Sequence, residues 1–206
     1  MANIGIIIRL LIVTVTVIFA VRYWDSYKNS KQRYFLHFLC YVLFSEVFAA
    51  ILGPVLKINN YFVFNIYTVA SFLFYLFWFN TIIENKKVIN SFLIVFVASV
   101  VFSLFRESFV DQLWSIPLTT GTVIIIITSA IFFKNFLNKK EVVNFKSSQP
   151  FWIIAGLLIF YIGFLPIQLL MFYLETYSDS YTVIISLLNV ILYGSIIKSF
   201  LCLKTN

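Results

Sequence analysis

Few residues in this 206-residue chain could do chemistry, and the most telling is Glu46. It stands in Phe44-Ser45-Glu46-Val47, near the middle of a long apolar run. A carboxylate at that depth in hydrocarbon is costly, so it must be protonated or paired and must turn away from lipid. Glu46 is therefore a candidate ligand contact, ion site or proton-linked switch, or else a buried hydrogen bond between helices. Arg9 is its natural counter-ion. At the helical rise per residue, Arg9 sits roughly 8 Å and Glu46 roughly 15 Å below the same membrane surface, a gap that a long guanidinium side chain largely spans. The competing reading is that Arg9 snorkels to the interface.

Other polar groups fall at the same level once the apolar runs alternate in direction. Asn65 and Thr68 lie early in the third run, and Thr119, Thr120 and Thr122 early in the fifth. Gln168 lies late in the sixth and Asn189 in the first half of the seventh. Together they point to a polar pocket open to the outside, with Glu46, Arg9, Asn65, Gln168 and Asn189 as its ligand-binding residues. For any one of these polar groups, an ordinary interhelical hydrogen bond is the alternative.

Catalysis is not expected. One His and two Cys supply no Ser-His-Asp, Cys-His or zinc constellation, and no pair of carboxylates stands ready for acid–base work. His37, close to Arg33, reads as interfacial. Lys198 invites comparison with a retinal-binding lysine, but it falls near the inner end of the last run and the third run holds no acidic partner. No cofactor or metal is expected. Cys40 and Cys202 fall on the cytoplasmic side, where a disulfide does not persist.

The elements that position these groups are membrane helices. Hydrophobic residues make up 62% of the chain and charged ones 11%, and mean hydropathy is +0.98. A water-soluble fold of this size could not hide that much apolar surface, so the bilayer is the solvent. The apolar runs are Ile4–Val21, Tyr34–Leu56, Tyr61–Ile83, Val88–Phe105, Gln112–Phe133, Phe151–Tyr173 and Tyr181–Leu203. Each is long enough to cross about 30 Å of hydrocarbon as a helix, and none alternates as a barrel strand would. The expected fold is all-α: one transmembrane domain over 1–206, a polytopic bundle of seven helices. The first run lacks a basic leader and a cleavage site, and reads as a retained span.

Charge sets the orientation. Arg22, Lys28, Lys31, Arg33, Lys86, Lys87, Lys134, Lys139, Lys140, Lys146, Lys198 and Lys204 all fall on one side of a seven-span arrangement. Glu107, Asp111, Glu175 and Asp179 fall on the other, with only Lys57 and Arg106 as basic residues there. The positive-inside rule places the basic side in the cytoplasm, giving N-out and C-in. The net charge of +7 is then loop charge and not a nucleic-acid signal. Trp24, Trp114 and Trp152, with Tyr23, Tyr34, Tyr61 and Tyr181, read as an aromatic belt at the span ends, and Trp78 lies close to the inner boundary. The loop before Pro150 could form a short interfacial helix. Gly163-Phe-Leu-Pro166 makes the sixth run the candidate for a bent helix. The count permits an inverted three-plus-one-plus-three arrangement, although no repeat is visible.

Three stretches resemble a known group. These are Ser45-Glu46-Val-Phe-Ala-Ala, Asn59-Asn60-Tyr-Phe-Val-Phe-Asn65-Ile-Tyr67 leading into Phe72-Leu-Phe-Tyr75, and Gln149-Pro150-Phe151-Trp152-Ile-Ile-Ala-Gly156 continuing to Tyr161 and Gly163. They are similar to a family of small seven-helix membrane proteins of Bacteroidota, akin to the membrane modules of sensor histidine kinases. An acidic residue expected in its third helix is replaced here by Ala70-Ser71. The resemblance implies a bacterial inner-membrane sensor or signalling accessory whose partner is a histidine kinase or other signalling protein, with the lipid bilayer as its surroundings and homo-oligomers open. A channel or membrane-disrupting effector, as in phage defence, and a small transporter using Glu46 are the other classes.

Overall fold

The computed structural model describes residues 2–138, 145–174 and 179–205. Seven long helices account for most of them: α1 (Ala2–Arg22), α2 (Tyr34–Ala50), α3 (Tyr61–Ile82), α4 (Lys86–Arg106), α5 (Ser115–Leu137), α6 (Gln149–Leu174) and α7 (Asp179–Leu201). All seven are long and apolar enough to cross a membrane. The chain is an all-α bundle of membrane-spanning helices. Its rim is apolar: Ile94, Phe105 and Leu137 are among many large hydrophobic side chains that face outward, as lipid contact requires.

Local chemistry sets the helix ends. Pro150 occupies the second position of α6, where its missing N–H costs nothing. Gly53-Pro54 ends α2 in a π-helical turn, Ile51–Val55, whose Leu56 N–H reaches the Ile51 carbonyl at 3.0 Å. Lys57 then takes a positive φ of 57° and turns the chain. Asn60 folds back to donate to the Ala49 carbonyl at 2.9 Å. Its amide lies 2.7 Å from where a Cβ on residue 53 would project, so that position needs glycine. α6, by contrast, continues through Pro166 as one unbroken helix. Of the interfacial helix expected before Pro150, the described residues contain one 3₁₀ turn, Phe145–Ser147. Lys139 and Lys140 of that loop, and Glu175, lie outside the described residues.

Six helices close into a ring, in the order α1, α2, α3, α5, α6, α7 and back to α1. α4 stands outside it, laid against α3 and α5. Its buried residues are Ile89, Phe96 and Ser103, a single seven-residue stripe. This connection has a topological consequence. Because α4 crosses back, α5 runs in the same direction as α1, so α1–α3 and α5–α7 are two triplets of the same orientation. The inverted arrangement that the count permits is therefore excluded: an odd connecting helix makes the triplets parallel.

The end of the bundle where α2, α4 and α6 start holds a packed aromatic cluster; it is called the C-end below, and the opposite end, where α1 starts, the N-end. Trp78, Phe35, Phe79, Phe200 and Tyr27 are almost wholly buried there. Phe35 meets Trp78 edge-on at 4.9 Å between ring centres, and Phe38 stacks on Phe74 at 4.1 Å. The Tyr27 hydroxyl donates to the Ala20 carbonyl at 2.7 Å. Trp78 is thus core, not interface, which corrects the reading from sequence. Trp114 is corrected likewise: it is 2% exposed and packs against Phe109. A tryptophan near a span end faces inward when the adjoining helices leave it room, and sequence position alone does not separate the two cases.

Candidate functional site

The N-end is hollow. A cavity of about 390 Å³ opens between α1, α3, α6 and α7, with Glu46 entering from α2. Its walls follow helical periodicity. α3 contributes Tyr61, Tyr67, Thr68, Ser71 and Tyr75, and α7 contributes Tyr181, Thr182, Ser186, Asn189 and Tyr193. With Phe64, the α3 set recurs every three or four residues from Tyr61 to Tyr75, and the α7 set does so from Thr182 to Tyr193, so each keeps to one helix face. α1 brings Gly5 and Arg9 one turn apart, and α6 brings Phe160, Tyr161 and Phe164. The cavity ends toward the C-end at Tyr75, Tyr161 and Tyr193, all buried. Tyr75 and Tyr161 meet edge-on there, with ring centres 6.4 Å apart.

Arg9 and Glu46 meet in this cavity. Arg9 Nη1 lies 3.7 Å from Glu46 Oε1, and their side chains are 27% and 13% exposed. The depth offset counted along the two helices is thus bridged by the arginine side chain, which reaches inward instead of snorkelling outward. At 3.7 Å the pair is a charge contact and not a well-formed hydrogen bond. No other hydrogen bond to either group is seen among the described residues. Tyr67 and Tyr193 line the same cavity as Glu46. The buried Ser71 hydroxyl lies beside Tyr67 without a well-formed hydrogen bond.

The five residues expected to bind ligand divide in two. Arg9, Glu46 and Asn189 line the cavity. Asn189 also donates through Nδ2 to the Ile185 carbonyl one turn back, at 2.8 Å. Asn65 does not line it. Asn65 is fully buried and its amide is spent on backbone: Nδ2 donates to the carbonyls of Phe109 and Gln112, and Oδ1 accepts from Trp114 N–H, all at 2.8–2.9 Å. It pins the segment 107–114, whose Leu113 forms part of the cavity wall. Gln168 is also elsewhere, donating to Thr119 Oγ1 at 2.7 Å and tying α6 to α5. Both residues hold the frame of the cavity rather than its contents.

Glu107 fastens the same segment from its other end. Its Oε1 accepts from Ser115 N–H at 2.8 Å and from Ser115 Oγ at 2.6 Å. Burial works to raise its pKa, but these bonds at the start of α5 outweigh it and hold the carboxyl below the usual range.

Reasoning from sequence missed the tyrosines. Tyr61 and Tyr181 read as membrane belt, Tyr67, Tyr75 and Tyr161 carried no role beyond family resemblance, and Tyr193 carried none. A usable signal was present: hydroxyl-bearing residues recur at helical spacing along one face of α3 and one face of α7. Inside hydrocarbon, such a stripe faces protein or water, not lipid.

The fold and the site define a class: a multi-pass, seven-helix membrane protein with a blind, aromatic cavity at one end and an ion pair inside it. Comparison with known proteins gives no narrower assignment, since no family model matches the sequence and neither a characterised protein nor a solved structure is significantly similar to it.

Proposed function

We propose that the protein is a sensor or signalling accessory of the bacterial inner membrane. It binds a small ligand from outside and passes the resulting change in helix packing to a cytoplasmic or membrane partner, with a histidine kinase the first candidate. One observation carries this reading: a cavity that holds Arg9 and Glu46 within reach of one another and stops at a packed aromatic floor. A site that binds and does not pass its ligand through suits detection. The basic residues at the far end, including Lys28, Lys86 and Lys134, supply the positive-inside signature that turns the cavity outward. The resemblance to the Bacteroidota family supports the same assignment. The role is one of binding, not catalysis.

A transporter is the second reading. Two triplets of like orientation around a cavity is the arrangement expected of parallel-repeat transporters. A channel or membrane-disrupting effector has less support, because the cavity is blind.

The test is orientation followed by output. With Cys40 and Cys202 replaced by Ser, Ser186→Cys is expected to react with a membrane-impermeant maleimide added to intact cells; labelling after lysis alone sinks the reading. Glu46→Gln is then expected to alter autophosphorylation of a histidine kinase that co-purifies with the protein more than it lowers expression. Uptake of solute that depends on Glu46, without any change in phosphorylation, favours the transporter.

A further inference from the structure

We propose that the ligand is a zwitterion on an apolar body, its anionic oxygens on Arg9 and its ammonium on Glu46. This rests on the reading of the cavity as a ligand site. The ion pair is long, and neither member has another hydrogen bond among the described residues. A guanidinium has five N–H donors and a carboxylate about four acceptor positions, so most of their capacity is unspent. A ligand carrying one charge would satisfy one partner and strand the other in a low-dielectric cavity. A zwitterion inserted between them gives each a new partner and keeps the cavity neutral. The walls suit the rest of such a molecule. Tyr67 and Tyr193 line the same cavity as Glu46, and aromatic rings attract an ammonium. Phe64, Phe160 and Phe164 offer apolar contact. The volume of about 390 Å³ is at the small end of ligand sites and suits a molecule of amino-acid or dipeptide size, or a single-chain headgroup, but not a two-chain lipid.

This chemistry could arrive by two routes. A soluble zwitterion enters from the aqueous side. A single-chain zwitterionic amphiphile enters from the bilayer, and the structure provides a place for its chain: a groove of about 240 Å³ on the outside of the α1–α7 contact, lined by Ile8, Val183, Leu187 and Val190. Groove and cavity share Gly5, Thr182 and Ser186, so a wall of one glycine and two small hydroxyl residues separates them.

The experiment uses the full chain in nanodiscs, with binding read by calorimetry and by thermal shift. The soluble probes are L-phenylalanine, N-acetyl-L-phenylalanine with only the anion, and phenethylamine with only the cation. The amphiphilic probes are lysophosphatidylethanolamine and lysophosphatidic acid, which lacks the ammonium. A zwitterion is expected to bind at least tenfold tighter than its singly charged counterparts. Arg9→Gln and Glu46→Gln should each erase that preference. Binding of L-phenylalanine identifies the aqueous route; binding of lysophosphatidylethanolamine alone, weakened by Val183→Trp in the groove, identifies the bilayer route. Because a single charge variant could fail to fold, Arg9→Glu is combined with Glu46→Arg. That exchange retains the pair, and the zwitterion preference should survive it. Equal binding of zwitterions and singly charged probes, with competition between them, overturns the zwitterion while leaving the cavity as a ligand site. Failure of every probe to bind also overturns it, and inaccessibility of Ser186→Cys from outside removes the cavity reading beneath it.

Discussion

The two ends of the bundle use the same residue types to opposite effect. At the C-end, Phe35, Phe38, Trp78 and Phe79 pack ring against ring and are at most 6% exposed. At the N-end, Tyr75, Tyr161, Tyr193 and their neighbours stand around a void of about 390 Å³. The N-end differs in carrying a charged pair among its small polar groups. The void carries Ser71, Thr68, Ser186, Asn189 and the Arg9–Glu46 pair, which cannot close on one another as rings do. Dense packing and open volume are thereby separated along the bundle axis. Helices in a bilayer gain little from the hydrophobic effect and depend on close packing, so a dense end is what allows the other end to stay open.

The largest test of that separation is Trp78→Ala. It should cost about 3 kcal/mol, the cavity part of a large-to-small change, since the transfer part is weak in lipid. A denaturation series in mixed micelles would measure it. Trp78→Phe should cost far less, because the indole N–H has no hydrogen-bond partner among the described residues. Asn65→Ala comes next, at about 2 kcal/mol, since it strands backbone groups of Phe109, Gln112 and Trp114. Hydrogen exchange should show the loss concentrated in 107–114. If Asn65 were instead a ligand contact, the loss would appear in binding and not in that segment.

Smaller effects fall in the void. Glu46→Gln should cost about 1 kcal/mol, between the values for exposed and buried pairs, because Arg9 retains some access to solvent. A cost as large as that of Trp78→Ala would break the comparison, since it would make the pair a structural post. The smallest effect is a pH dependence. The folded Glu107 carboxyl has its pKa lowered, so its contribution is complete above the ordinary carboxylate pKa and fades as pH falls through the lowered value. Exchange in 107–114 should therefore quicken in acid, and Glu107→Gln should abolish the dependence.

The fold was legible because hydrocarbon imposes a simple rule on sequence: apolar runs of span length, with breakers and lysines between them. Even α4, with Ser91, Ser99 and Ser103 in a short run, folds as a full helix over Lys86–Arg106, and Ser91 and Ser99 donate to carbonyls of their own helix, which satisfies their hydroxyls in hydrocarbon. The site was legible where a residue was anomalous. A glutamate in mid-span has few explanations, and it led to Arg9. Asn65 and Gln168 misled because an amide can be consumed by backbone or by a neighbouring hydroxyl, and sequence does not say which. The tyrosines were lost in a chain that is 20% aromatic. Their roles depend on which helix face closes the ring, a property of packing and not of composition.

The displacement of α4 leaves two places where neighbours in the ring run in the same direction: α3 beside α5, and α7 beside α1. Each seam closes on a glycine. A methyl at Gly121 would come within 2.5 Å of the Phe72 ring, and one at Gly5 within 2.7 Å of Thr182 Cγ2. Phe72 and Thr182 are both cavity walls. The bore of the chamber is thus gauged by two missing side chains on opposite flanks, so that a single alanine at either would act as a shim, prising one triplet from the other.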